Sequence, residues 1–215
     1  MNGRALTAEF VGTFTLIFIG AGAGAISGSL VAVAFAHGLV VLGLAYAYGH
    51  ISGTHINPAV TIGLLVGGQI EIGAAIGYIV AQLAGGIAGA AALAFALGDK
   101  AGALGATMPA DGIGTGQLFF IEAFLTFLLV NTIYHTAVGG KAGNMAPVAI
   151  GMTLVFCILM GGPLTGASLN PARTLGPALF SGAPGAMSSL WVYFTACPLG
   201  GILAALLYRF LKDPE

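Results

Sequence analysis

Two asparagines, Asn57 and Asn170, each stand directly before Pro-Ala in matching twelve-residue settings. Residues 52–63 read SGTHINPAVTIG and residues 165–176 read TGASLNPARTLG, an offset of 113 residues (57 to 170). Pro58 and Pro171 suit the first position of a helix, where the missing N–H costs nothing and φ is already helical. Asparagine before them is a favoured N-cap, its side-chain oxygen accepting from exposed backbone N–H groups. Capping uses that oxygen and leaves the side-chain NH₂ free to point outward as a donor. Two such helix starts, completed by Ala59 and Ala172, offer amide donors and positive dipole ends to whatever passes. A neutral molecule with a lone pair is served there, and a cation is repelled. Aspartate would cap as well but would invite cations. The glycine-bearing stretches ahead of the caps, Gly53-Thr54-His55 and Gly166-Ala167-Ser168, read as extended backbone whose carbonyls cannot all bond internally. Those carbonyls are expected to line a path as acceptors. The same offset carries Glu9 to Glu122, each 48 residues ahead of its asparagine. A carboxylate at such a place needs a partner. Either it binds an ion or proton, or it accepts bonds from the N–H groups of its own loop; symmetric placement favours the second.

The elements that must position these groups are apolar. Of 215 residues, 58% are hydrophobic and 6% charged, against about 25% charged in a soluble domain. Runs of about 20 apolar residues are long enough to cross a bilayer, and they fall at 5–26, 30–49, 72–97, 116–138, 146–162 and 188–211. The motif segments are half that length, ending at Gly67-Gly68 and Ser181-Gly182. The fold class expected is an all-α membrane protein, six transmembrane helices plus two re-entrant half-helices. Irregular backbone at mid-membrane depth must be buried in protein or line water.

The whole chain, 1–215, reads as one transmembrane channel domain made of repeats 1–100 and 114–215. Loop 98–116, with Asp99, Lys100 and Asp111 among glycines, serves as their connector. Three spans per half require the second half to enter from the opposite side, so the repeats are inverted. Arg4, Lys141, Arg209 and Lys212 would be cytoplasmic and Lys100 external, which puts both termini in the cytoplasm. Arg4 followed by an apolar stretch could be mistaken for a signal peptide, but Glu9 through Phe14 belong to the repeat, so a retained first helix is expected. The 36 glycines, among them Gly85-Gly86 and Gly200-Gly201 inside spans, indicate closely packed transmembrane helices. Cys157 and Cys197 fall inside spans and read as small core residues. A net charge of −1 gives no case for nucleic acid. His50 and His55, five apart, match no zinc spacing and no acidic or cysteine ligand accompanies them, so neither metal nor cofactor is expected. His135 is placed at the interface, near the cytoplasmic end of the fourth span.

With the doubled motif and the glutamates in place, the chain resembles the aquaporin (major intrinsic protein) family over essentially its whole length. The resemblance implies one pore per subunit, a homotetramer, residence in the cell (plasma or inner) membrane, and a narrow outer filter. By distance from the motifs the filter positions are His37, Ile158, Ala167 and Arg173. Arg173 would donate to the permeant and deter cations; selection by pore width, donors and an arginine is a known principle of this family. The set His, Ile, Ala, Arg is similar to that of the plant vacuolar (tonoplast intrinsic) branch, whereas strict water channels of the family usually carry Phe and His at the first two positions. Ile158 makes the constriction less hydrophilic. Water is therefore the expected permeant, in single file and without protons or ions, with ammonia, hydrogen peroxide or urea as accompanying solutes. Glycerol channels of the family carry Asp after the filter arginine and a basic residue four further on. Thr174 and Ala178 stand there instead, which disfavours glycerol. Tyr193-Phe194 resembles the aromatic pair of water-selective members, although Pro198 follows one residue later than usual.

Two other classes share some of these features. A small-solute facilitator for ammonia, urea or glycerol would use the same frame, and an ion-coupled secondary transporter also has inverted repeats and broken helices. The transporter would need a coupling-ion site, for which the two glutamates are the candidates. For an enzyme there is no nucleophile with a neighbouring base, no carboxylate pair and no metal cluster.

Overall fold

The computed structural model describes residues 2–212 and is all-helical. Helix α1 spans Gly3–Ile26 and α2 spans Leu30–Ser52. Half-helix α3 covers Pro58–Val66 and α4 covers Ile72–Leu97. Past the connector come α5 (Thr115–Val138), α6 (Ala146–Thr165), half-helix α7 (Pro171–Phe180) and α8 (Leu190–Leu211). The full-length helices among the described residues are long and apolar enough to cross a membrane. Their outer faces carry Phe95 at 92% exposure and Phe210 at 84%, a surface suited to lipid.

The spans follow the apolar runs, with one systematic difference. Both α2 and α6 run three residues past the expected Gly49 and Gly162, to Ser52 and Thr165. Each stops where a glycine turns left-handed, Gly53 at φ +81 and Gly166 at φ +77, which only glycine does at little cost. The half-helices have nine and ten residues, or about 14 and 15 Å at 1.5 Å per residue, half of a bilayer core.

The half-helices dock crosswise. α3 packs against α8 and α7 against α4, so each half-helix rests on the last span of the opposite half. Glycine makes both approaches close enough. A Cβ on Gly201 would lie 2.5 Å from the Ala59 carbonyl oxygen, and one on Gly86 would lie 2.7 Å from that of Ala172. Their neighbours Gly85 and Gly200 face α1 and α5, where a Cβ would strike the carbonyls of Phe10 and Ala123. The equivalence of Gly85 with Gly200 and of Gly86 with Gly201 corresponds to an offset of 115, not 113. The added pair of residues is absorbed between α7 and α8, where a short helix Pro184–Ser188 replaces a tight turn. Pro198 sits inside an unbroken α8, so the late proline does not interrupt this span.

Candidate functional site

The two loops leading to α3 and α7 meet in the middle of the molecule. Asn57 Oδ1 accepts from the Ala59 N–H at 2.8 Å; Asn170 Oδ1 accepts from Ala172 at 2.9 Å and Arg173 at 3.3 Å. Neither amide nitrogen is wholly free, contrary to what capping alone suggests. Asn57 Nδ2 donates to the Leu169 carbonyl at 2.8 Å, and Asn170 Nδ2 donates to the Ile56 carbonyl at 2.9 Å. One amide hydrogen of each asparagine therefore ties its loop to the opposite one. The tie aims the remaining hydrogen, because an amide NH₂ is planar.

Ile56 and Leu169 adopt left-handed φ of +43 and +55, a genuine strain for bulky side chains. Both are clamped at both ends. The carbonyl is held by the opposite asparagine, and the N–H by a carboxylate: Ile56 N–H donates to Glu9 Oε2 at 2.6 Å and Leu169 N–H to Glu122 Oε2 at 2.9 Å. Glu9 also accepts from the His55 N–H, the Ser52 hydroxyl and Gln82 Nε2, at 2.9, 2.6 and 2.7 Å. Glu122 accepts from the Ser168 N–H and the Thr165 hydroxyl, at 3.0 and 2.7 Å, and from the Cys197 thiol at 3.6 Å. Both carboxylates are fully buried and loaded with donors, which leaves them little capacity for an ion. Tyr78 and Tyr193 add hydroxyl bonds to the carbonyls of Ser52 and Thr165, at 2.9 and 2.6 Å.

Sequence reasoning missed Gln82, Tyr78 and the bonding role of Cys197. A buried polar residue on a span next to a glycine pair is the signal that could have found them. Tyr193-Phe194 does not act as a pair: Tyr193 is buried and Phe194 is 37% exposed.

A narrow cavity runs past this junction. His37, Val41 and Ala45 of α2 border it at helical spacing, as do Leu129, Ile133 and Ala137 of α5, with Ile150 and Leu154 of α6. Asn57, Asn170, Val60, Arg173 and the loop residues Gly53, Thr54, His55 and Ser168 complete the wall. Among the described residues, the carbonyls of Gly53, Thr54, His55, Gly166, Ala167 and Ser168 accept no hydrogen bond. Of the four expected filter positions the cavity reaches His37 and Arg173. Ile158 and Ala167, each 2% exposed, are as buried as His37 and Arg173, at 3% and 4%. His55 borders the cavity with its ring fixed, Nδ1 lying 3.1 Å from the Thr61 hydroxyl and the ring edge-on to Tyr78.

His37 and Arg173 carry unspent polar atoms. His37 Nδ1 bonds the Val33 carbonyl at 2.9 Å, and Nε2 is buried without a partner. Its ring is accommodated because Gly20 has no side chain. Arg173 Nη1 donates to the Gly105 carbonyl at 2.7 Å, while Nε is buried without a partner. Both side chains border the cavity.

The connector thus does more than join the halves. Gly105 supplies the carbonyl that orients Arg173, and the Thr107 hydroxyl donates to that of Thr174 at 3.0 Å, which in turn bonds Ser168 at 2.5 Å. Gly105 packs so tightly on Ala21 that any Cβ would collide with its backbone.

The family model described as Major intrinsic protein matches residues 1–208. The chain belongs to the major intrinsic protein family. Among its relatives in that family, "Glycerol uptake facilitator protein-like 6" of Lactiplantibacillus plantarum is 44% identical, with 99% of this chain and 100% of that one aligned. "Aquaporin Z" of Rhodopseudomonas palustris is 40% identical over 100% and 95% of the two chains. A "Probable aquaporin TIP-type" of Medicago truncatula is 39% identical over 97% and 86%. The X-ray structure of the aquaglyceroporin from Plasmodium falciparum superposes with a TM-score of 0.88 at 25% identity, covering 97% of this chain and 96% of that one. As a member of the family the protein is an integral membrane channel for water or small solutes, not an enzyme.

Proposed function

We propose that the protein is a passive water channel, one domain built from inverted repeats 1–100 and 114–215, with Asn57 and Asn170 at the pore centre. The observation that carries this reading is the pair of crossed asparagines opening onto the cavity, their caps and ties leaving one aimed hydrogen each. A water whose oxygen accepts from both asparagines has no lone pair for its neighbours, so its two hydrogens point outward along the file. The chain of waters reverses direction at that point and cannot pass a proton through. Free carbonyls of residues 53–55 and 166–168 supply acceptors on either side. Arg173 and His37 form the polar part of the filter, and Ile158 and Ala167 its apolar part. The charge that repels cations resides on Arg173 and on the two helix starts.

A narrow filter with two polar residues also suits ammonia, hydrogen peroxide or urea. Glycerol facilitation is a second reading, favoured by the 44% identity to a relative named as a glycerol uptake facilitator. Thr174 and Ala178 oppose it, because both are buried and uncharged where glycerol channels of the family carry ionised residues. On the same reading the protein is a homotetramer in the cell membrane, and the distribution of its basic residues supports cytoplasmic termini.

Stopped-flow light scattering on proteoliposomes tests the function. Osmotic water permeability well above that of protein-free vesicles, with glycerol flux at background, is the expected outcome. Glycerol flux comparable with that of water would establish the facilitator reading instead, and permeability equal to that of empty vesicles would remove both.

A further inference from the structure

Away from the pore, half of the chain's six basic residues gather at one end of the molecule. The turn after α5 brings Lys141 beside His135, and the last turn of α8 adds Arg209 and Lys212. They surround two adjoining clefts of about 290 and 490 Å³ that share Gly139, Tyr208 and Lys212. Gln69, just past the end of α3, closes the second cleft. The floor is rigid: the Tyr208 ring stacks on Tyr134 at 4.8 Å and meets His135 edge-on at 5.1 Å, and the Tyr134 hydroxyl is fixed to the Gly63 carbonyl at 2.8 Å. Among the described residues no carboxylate borders either cleft; Glu71 lies two residues beyond Gln69 and stays outside both. Asp213 and Glu215 lie outside the described residues.

Two features select the kind of anion. The clefts lie at the ends of spans α5 and α8, the depth at which lipid headgroups lie against a membrane protein. Directly beside them, Phe210 and Leu211 are 84% and 55% exposed, apolar surface that acyl chains would cover. Leu211 itself borders the first cleft. An anionic phospholipid joins the two in one molecule, a phosphate for the cations and acyl chains for the ledge. We propose that this basic cleft is a binding site for the phosphate headgroup of an anionic phospholipid, held by Lys141 and Arg209 with its chains along the end of α8.

Each Lys or Arg near an anionic lipid surface strengthens binding by about 1 kcal/mol, or about fivefold. The experiment compares binding of phosphatidylglycerol and phosphatidylcholine of identical chains to the full-length protein in detergent, by native mass spectrometry. The wild type is expected to prefer phosphatidylglycerol by at least about tenfold, and Lys141→Gln with Arg209→Gln to lose most of that preference. Arg4→Gln with Lys100→Gln, which removes equal charge elsewhere, is expected to keep it. The single Lys141→Gln change, on an exposed turn, should lose about fivefold and serves if the double variant does not assemble. Water permeability of each variant in phosphatidylcholine vesicles, expected to be unchanged, reports an intact channel independently of the lipid. Equal binding of the two lipids, or an equal loss in the Arg4/Lys100 variant, would overturn the site. Competition by inorganic phosphate as strong as that by the lipid would overturn the lipid as its occupant.

Discussion

The two loop-and-half-helix units are alike where the chain must be held and unlike in a side chain that each turns to the cavity. In both, a buried glutamate holds the N–H of a strained residue and the opposite asparagine holds its carbonyl. In both, a tyrosine hydroxyl fixes the last carbonyl of the preceding helix. The side chains three residues after the asparagines differ: Val60 and Arg173 both border the cavity, one apolar, the other cationic and oriented by Gly105. Support is symmetric because both half-helices solve the same problem of an unpaired backbone in the interior. Selection can be asymmetric because one charge in a narrow path is enough to act on every permeant.

Breaking the supports should have the largest effect. Glu9→Ala orphans four donors, at about 1 kcal/mol or more each, and should lower the thermal unfolding midpoint in detergent by about 10 °C or more. Glu122→Ala should cost about 1 kcal/mol less, because a weakly bonding thiol stands where the first unit has the Gln82 amide. Equal losses would show that Gln82 contributes nothing beyond Cys197.

Val60→Arg imposes the second unit's charge on the first. A second cation at the cavity wall should reduce osmotic permeability about tenfold, the equivalent of ~1.4 kcal/mol in the barrier, with the unfolding midpoint little changed. Undiminished water flux would place Val60 off the path. Tyr78→Phe and Tyr193→Phe each remove one hydroxyl bond and should each cost about 1 kcal/mol, read as nearly equal small drops in the midpoint. A loss confined to one of them would show that the two supports are not equivalent.

The spans and half-helices were legible because lipid demands long apolar runs and because Asn-Pro fixes a helix start. The places of Asn57, Asn170, Glu9 and Glu122 were legible for the same reason, each being set by local chemistry repeated at one offset. The tie between the loops was not, since capping predicts the oxygen's partner and says nothing of the nitrogen's. Gly105 was hidden because a carbonyl leaves no mark in sequence and the connector's glycines read as linker. The shift of register from 113 to 115 in the last span was present in Gly85-Gly86 and Gly200-Gly201, but only the packed structure shows that these pairs are equivalent.

If the symmetric unit conducts and Arg173 selects, the two roles separate in one variant. Arg173→Val gives the second unit the first unit's residue, and stopped-flow measurement on proteoliposomes compares water with urea and glycerol. Water permeability is expected to stay within about twofold of the wild type, and urea and glycerol flux to rise about tenfold, ~1.4 kcal/mol off the barrier. Loss of water flux, or solute fluxes that stay at background in an intact variant, would contradict that separation.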